Sequence, residues 1–319
     1  MIKYIDEVEI KNKRVLLRVD FNVALTNHSH IADDFRIRQS IPTIVRLSNN
    51  GNIVILIAHL GDPKGSDRNF SFQNVKERLQ TLIPEKTIHF IKDFRSIEGK
   101  KTLESLMAGD IVLLENIRFY PEEKNNDKAF SQELSSQADL FVNDAFGVSH
   151  RNHASIVGIP QLLPSCGGLL LKKEVESISK AINNPQKPYV ALIGGAKIST
   201  KLHLLDRLLG LADTLIVGGG IANTLLAAQG HHIGRSLEEP QEHEHGKKLI
   251  ELAKQKNTEL ILPLDVVVAE QKDTDQVMVK NINEVQEREF ILDIGPQTDA
   301  HYALYIATAK TIIWSGPFG

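Results

Sequence analysis

The chain of 319 residues is 42% hydrophobic and 24% charged, with 37 basic and 40 acidic side chains. That length leaves room for about two domains with substantial cores, and the composition excludes a disordered, collagen-like or disulfide-stapled chain. A net charge of −3 gives no electrostatic footprint for nucleic acid or for an anionic membrane surface. The single cysteine, Cys166, has no intramolecular partner and fits a reducing compartment. The N-terminal stretch MIKYIDEVEIKNKR is charged and has no apolar core, so it does not read as a signal peptide. Apolar runs such as 53–58 fall far short of a membrane span. These features predict a soluble, cytoplasmic protein.

Short β-rich runs alternate with helical patterns, as in βαβ units built around parallel sheets. The predicted strands of the first half are 14–19, 53–58, 87–91, 111–114 and 140–142. Those of the second half are 189–193, 214–217, 259–262, 266–268, 289–292 and 311–314. Helical patterns include 130–137, 200–211, 221–229 and 243–256. Between the halves, LLLKKEVESISKAI has apolar residues at helical spacing, and NNPQKP stops it. The expected organisation is therefore a lobe at 1–168, a connecting helix and linker at 169–188, and a lobe at 189–319. The fold class is α/β, with two doubly wound, Rossmann-like parallel-sheet lobes joined by a helix.

Ligands of open parallel sheets bind beyond the carboxyl ends of the strands. In the first half those ends carry Asp20, Phe21 and Asn22; His59, Leu60 and Gly61; and Arg118 after Glu115-Asn116. Arg36 and Arg38 at the head of a helix, and Arg151 in SHRNHAS, add further cations. Converging arginines suit a small polyanion, because each guanidinium fork can grip a phosphate or carboxylate bidentately. In the second half the ends are glycine-rich: Gly194-Gly195-Ala196, Gly218-Gly219-Gly220, Gly295-Pro296 and Gly316-Pro317. Glycine lets backbone approach a ligand closely, and a following helix start offers N–H donors to phosphate. Lys197 and Lys201, four residues apart, are expected to share a helix face pointing at the same anion. Neither GxxxxGK[ST] nor GxGxxG is met, since Asn223 holds the last glycine place of GGGIAN. His231, His232, His243 and His245 have no zinc-like spacing and read as a solvated face, so no metal ligand is assigned. Cys166 reads as a small packed residue outside the chemistry.

Several segments in order carry a more specific signal: RVDFNVAL (18–25), IAHLGDPKG (57–65), LLENIRFYPEEKNND (113–127) and FVNDAFGVSHRNHAS (141–155). They are followed by GGAKISTKL (194–202), LIVGGGIANTLLAAQGHHIGRSL (215–237), LPLDVVVAE (262–270), LDIGPQT (292–298) and IIWSGPFG (312–319). Across essentially its whole length the chain resembles the phosphoglycerate kinases. The resemblance implies a glycolytic phosphotransferase, a monomer that works by hinge bending. It would act between 1,3-bisphosphoglycerate and Mg·ADP, giving 3-phosphoglycerate and Mg·ATP, with Mg²⁺ arriving with the nucleotide. It implies glycerate contacts at Asp20, Phe21, Asn22, Arg36, His59, Leu60, Gly61, Arg118 and Arg151. It implies nucleotide contacts at Gly194, Gly195, Ala196, Lys197, Lys201, Gly219 and Gly220. Arg36, Lys197 and Lys201 would act on the transferring group.

The chain also departs from the family pattern. Asp62 stands where the pattern has an arginine, which predicts weaker glycerate binding unless Lys64 or Arg68 compensates. Ala24 and Ser315 replace a proline and an asparagine. After TIIWSGPFG the pattern would continue through a ribose-binding glutamate and a Gly-Gly-Gly-Asp turn whose aspartate helps bind Mg²⁺, so the second lobe is expected to be incomplete. Two other readings are a dinucleotide-dependent oxidoreductase and a ligand-binding fragment without turnover.

Overall fold

The computed structural model describes residues 2–26 and 30–319. Backbone contacts divide the chain into Met1–Ser177 and Ile178–Gly319. The first unit runs β1 (Arg14–Val19), α1 (Phe35–Asn49), β2 (Ile53–Ile57), α2 (Gln73–Leu82), β3 (Ile88–Ile91), α3 (Ile97–Ser105) and β4 (Ile111–Leu114). It continues through α4 (Pro121–Lys124), α5 (Lys128–Ser135), β5 (Leu140–Asp144) and β6 (Ser165–Gly167). Helix α6 (Leu169–Asn183) follows, and the division between units falls within it.

The six strands form one parallel sheet in the order β3-β4-β2-β1-β5-β6. Chain order reverses at β1, so the crevice above β1 and β5 is a topological switch point where ligands collect. Both faces are covered. Val15, Leu17 and Val19 pack with α1 and α2 residues such as Ile44 and Val75, while Leu16, Ile55 and Ile57 pack with Phe130 and Leu134 of α5. Two-sided burial explains why these strands are nearly continuous apolar runs. Strand parity then puts Arg18 on the same face as Leu16, inside the protein.

The second unit contains β7 (Tyr189–Ile193), α7 (Leu202–Leu208), β8 (Thr214–Val217), α8 (Gly219–Ala228), α9 (His243–Gln255) and β9 (Glu259–Ile261). Then come β10 (Asp265–Ala269), β11 (Met278–Asn281), β12 (Phe290–Ile294), α10 (Pro296–Thr308) and β13 (Thr311–Ser315). A parallel sheet of order β13-β7-β8-β9 holds Tyr189, Ala191 and Ile193 against α7 and α8 on one face. The other face holds Val190, Leu192 and Ile216 with Tyr302 of α10, whose hydroxyl donates to the Val217 carbonyl at 3.0 Å. Beside it lies a separate antiparallel sheet, β11-β10-β12, with a register shift at Val267/Val268. The sequence reading did not anticipate that sheet. Its four-residue edge strand MVKN is mostly exposed and has no alternation to betray it.

No described helix is long and apolar enough to cross a membrane.

Candidate active site

The carboxyl ends of β1, β2, β4 and β5 converge at one edge of the first sheet. After β1 the chain turns through Asp20, Phe21 and Asn22. The Asn22 amide N–H donates to Asp20 Oδ1 at 3.1 Å, and Asn22 Oδ1 accepts from the Gly61 N–H at 2.9 Å, which ties this turn to the His59-Leu60-Gly61 loop. Asn116 secures the same loop by donating to the Leu60 carbonyl at 2.8 Å and accepting from the Leu60 N–H at 3.3 Å. Phe21 and Leu60 place their side chains in the core, Phe21 edge-on to Phe72 with centroids 6.4 Å apart. Only their backbones face the crest. Arg36, from the first turn of α1, pairs with Asp20 and is otherwise exposed. Arg38 is drawn away to Asp34, at 2.9 Å.

Beneath this surface lies a buried ionic network that sequence reasoning missed. Arg18 is only 1% exposed. Its Nη2 faces His59 Nδ1 at 3.0 Å, its Nε donates to Ser155 Oγ at 3.1 Å, and its Nη1 donates to the Val19 carbonyl at 2.7 Å. Glu123, fully buried, accepts from the Ser155 N–H at 2.9 Å and Oγ–H at 2.6 Å, and lies 3.6 Å from His153 Nδ1. Burial pushes the Glu123 carboxyl up, but His153, Arg18 and Ser155 outweigh it and hold the group below its ordinary range. The available signal was an arginine within an apolar parallel strand, since buried charge survives only with partners. Burial, then the charges of Arg18, Arg118 and Arg151, drives His59 down to about 2. His59 is therefore a neutral imidazole that accepts from Arg18, and not an acid or base at working pH.

Arg118, at the end of β4, is 6% exposed. Its Nη1 donates to the Gly61 carbonyl, while Nε and Nη2 are buried without a hydrogen-bond partner among the described residues. Exposed Arg151 stands near enough that its charge depresses both Arg118 and His59. Asp62 is not left unpaired: Lys124 is its ion-pair partner, with Arg118 at 3.5 Å. The compensating cation is thus Lys124, which is distant in sequence, in place of the expected Lys64 or Arg68.

In the second unit the ends of β7, β8 and β13 pack backbone to backbone. The Gly194 N–H donates to the Ser315 carbonyl at 2.9 Å, the Gly219 N–H to the Phe318 carbonyl at 2.9 Å, and the Ile221 N–H to the Gly195 carbonyl at 3.2 Å. Gly219 adopts φ +61° and Gly195 φ +126°, both in the region that favours glycine. A Cβ on Gly220 would overlap the Ala196 carbonyl. These turns line a cavity of about 290 Å³ whose walls include Gly195, Ala196, Gly219, Gly220, Asn223 and Phe318. The start of α8 opens onto it, and the Gly219 and Ile221 N–H groups of its first turn are taken up by the Phe318 and Gly195 carbonyls.

The two lysines do not share a helix face. Helix α7 begins only at Leu202, so Lys201 is its cap and Lys197 lies in the preceding loop. Lys201 Nζ instead donates to Ser315, at 2.7 Å to Oγ and 3.0 Å to the carbonyl, and desolvation lowers its pKa. Glu239 holds the intervening loop by accepting from the Ser199 N–H and Oγ–H, each at 2.8 Å. His243 bonds Glu238, His245 bonds Glu242 and His231 faces Asn283. Among the described residues no group of three or more His, Cys, Asp or Glu is placed to hold a metal ion. Cys166 is buried, and burial raises its thiol to about 11.

The fold and these two crests define an α/β protein of two parallel-sheet units, one with an arginine-rich anion site and the other with a glycine-lined cavity at a helix start. The family model for phosphoglycerate kinase matches residues 5–319. The chain is 44% identical to the phosphoglycerate kinase of Moorella thermoacetica over 315 residues, which is 98% of this chain and 80% of that protein. It is 43% identical to that of Chloroflexus aurantiacus over 322 residues, 99% of this chain and 80% of that protein. The solved phosphoglycerate kinase of Coxiella burnetii superposes with a TM-score of 0.80 at 39% identity, covering 100% of this chain and 81% of that one. That of Pyrococcus horikoshii gives 0.81 at 26% identity, with the same coverage. The chain belongs to the phosphoglycerate kinase family, and its chemistry is the phosphoryl transfer of glycolysis. These matches give no support to an oxidoreductase.

Proposed function

We propose that the first unit binds 3-phosphoglycerate or 1,3-bisphosphoglycerate through Asp20, Asn22, Arg36, His59, Arg118 and Arg151, with the backbone of Phe21, Leu60 and Gly61 shaping the floor. The second unit binds ATP or ADP against Gly194, Gly195, Ala196, Gly219 and Gly220, with Lys197 and Lys201 toward the phosphates. The observation that carries this assignment is the concentration of Arg18, Arg36, Arg118 and Arg151 around the strand ends of one sheet, with Arg118 still short of acceptors. A site short of acceptors is a site for an anion.

In the direction of acyl phosphate formation, a carboxylate oxygen of 3-phosphoglycerate attacks the γ-phosphorus of ATP. The bond to the β,γ-bridging oxygen breaks, and ADP leaves with that electron pair. The carboxylate is already ionised, so no general base is required, which accords with a His59 that stays neutral and buried. Rate enhancement comes from alignment and from neutralising charge on the transferring oxygens. Arg36 supplies that charge from the glycerate side, with Lys197 and Lys201 supplying it from the nucleotide side. Mg²⁺ enters as part of the nucleotide substrate, held by its phosphates. With substrates on separate units, turnover requires the units to close about the connecting segment and exclude water. The reading extends to a cytoplasmic monomer.

Trapping with hydroxylamine tests the reaction, because an acyl phosphate forms a hydroxamate while ATP and 3-phosphoglycerate do not. Hydroxamate should accumulate with ADP in equal amounts, only when both substrates are present. ATP hydrolysis without hydroxamate would refute the assignment.

A further inference from the structure

Asp62 and Lys124 meet at the edge of the arginine cluster, and the family chemistry proposed above gives neither of them a task. Lys124 closes α4, whose preceding residue Glu123 is anchored in the core by Ser155. Its backbone position is therefore fixed while its amine reaches outward to Asp62. The Asp62 carboxylate is 71% exposed and lies among Lys124, Arg118 and Arg151, which together hold it below its ordinary pKa. A lone carboxylate surrounded by three cations occupies the electrostatic position of a bound anion. It does so poorly, because Arg118 is 3.5 Å away and keeps two nitrogens without an acceptor. A phosphate dianion brings twice the charge and three oxygens to the same cations, and an exposed ion pair yields easily to such a competitor.

We propose that Lys124 is a phosphate-binding residue of the glycerate site and that Asp62 is its displaceable counter-anion, an internal stand-in for the substrate phosphate. When the phosphate enters, Asp62 swings away and the Lys124 amine transfers from carboxylate to phosphate. The pair sets specificity: only a ligand more anionic than a carboxylate displaces Asp62, so uncharged and singly charged glycerates are disfavoured. The proposal rests on the assignment of phosphoglycerate to the first unit.

Isothermal titration calorimetry of the whole chain with 3-phosphoglycerate, inorganic phosphate and unphosphorylated glycerate tests it on the wild type, Asp62→Asn and Lys124→Met. Removing the competing carboxylate should tighten 3-phosphoglycerate and phosphate by about tenfold, and Lys124→Met should weaken both by about tenfold, since each change alters one charge-assisted contact. Glycerate has no phosphate for Lys124 to hold, so its affinity should be little changed in Lys124→Met and should gain about tenfold relative to 3-phosphoglycerate there. Nucleotide affinity should be unchanged in both. If the wild type binds 3-phosphoglycerate and neither variant changes that affinity, or Asp62→Asn weakens it, the displacement idea is overturned while the glycerate site stands. If neither the wild type nor Asp62→Asn binds 3-phosphoglycerate, the site assignment falls and the proposal with it.

Discussion

His59 ties the chemistry of the site to the stability of the first unit. Its imidazole is 2% exposed and faces Arg18 at 3.0 Å, and burial with the neighbouring arginines takes its pKa from 6.5 to about 2. Between those values the unfolded chain takes up a proton that the folded chain refuses. Stability from this group is therefore complete above about pH 6.5 and is lost progressively as pH falls toward 2. At about pH 5 the unfolded state gains roughly 2 kcal/mol from protonation, taking ~1.4 kcal/mol for each pH unit below its pKa. Substituting His59→Asn keeps an acceptor near the position of Nδ1 for Arg18 but removes the titration. Urea unfolding monitored from about pH 7.5 to pH 5 should show the wild type losing about 2 kcal/mol more than the variant. Parallel losses in the two proteins would refute the reasoning, and a smaller loss in the wild type would reverse its sign.

The glycine turns of the second unit make a different demand. Gly220→Ala puts a methyl against the Ala196 carbonyl at the start of α8, so it should cost about 1–3 kcal/mol in thermal unfolding and weaken nucleotide binding. Lys201→Met removes the amine now bonded to Ser315 and should weaken ATP binding by about tenfold in titrations while leaving 3-phosphoglycerate affinity unchanged.

Much of the architecture was legible because parallel strands buried on both faces must be apolar runs, as RVLLRV, IVILI and YVALI are. Helices α2 and α3 show a weaker stripe, each burying only two side chains or backbone positions, Val75 with Leu79 and Gly99 with Leu103. The candidate site was legible at strand ends, where Asp20, His59, Arg118 and the glycines stand beside chain reversals. What stayed hidden depends on tertiary pairing. Arg18 reads as a strand residue until Ser155 and His59 are brought to it from well over a hundred and about forty positions away. Glu123 looks like part of a solvated PEEK helix until Ser155 folds over it. The lysines looked like one helix face because spacing alone does not reveal that α7 starts after both of them. Asp62 read as repulsive because its partner lies on another element.

In the proposed reaction, charge stabilisation of the transferring phosphoryl group drives catalysis, with Arg36 as its exposed donor. Steady-state kinetics of Arg36→Ala with 3-phosphoglycerate and Mg·ATP tests it most directly. The variant's kcat should fall about a hundredfold or more with KM for 3-phosphoglycerate little changed, the mark of an interaction made in the transition state. A raised KM at unchanged kcat would contradict it.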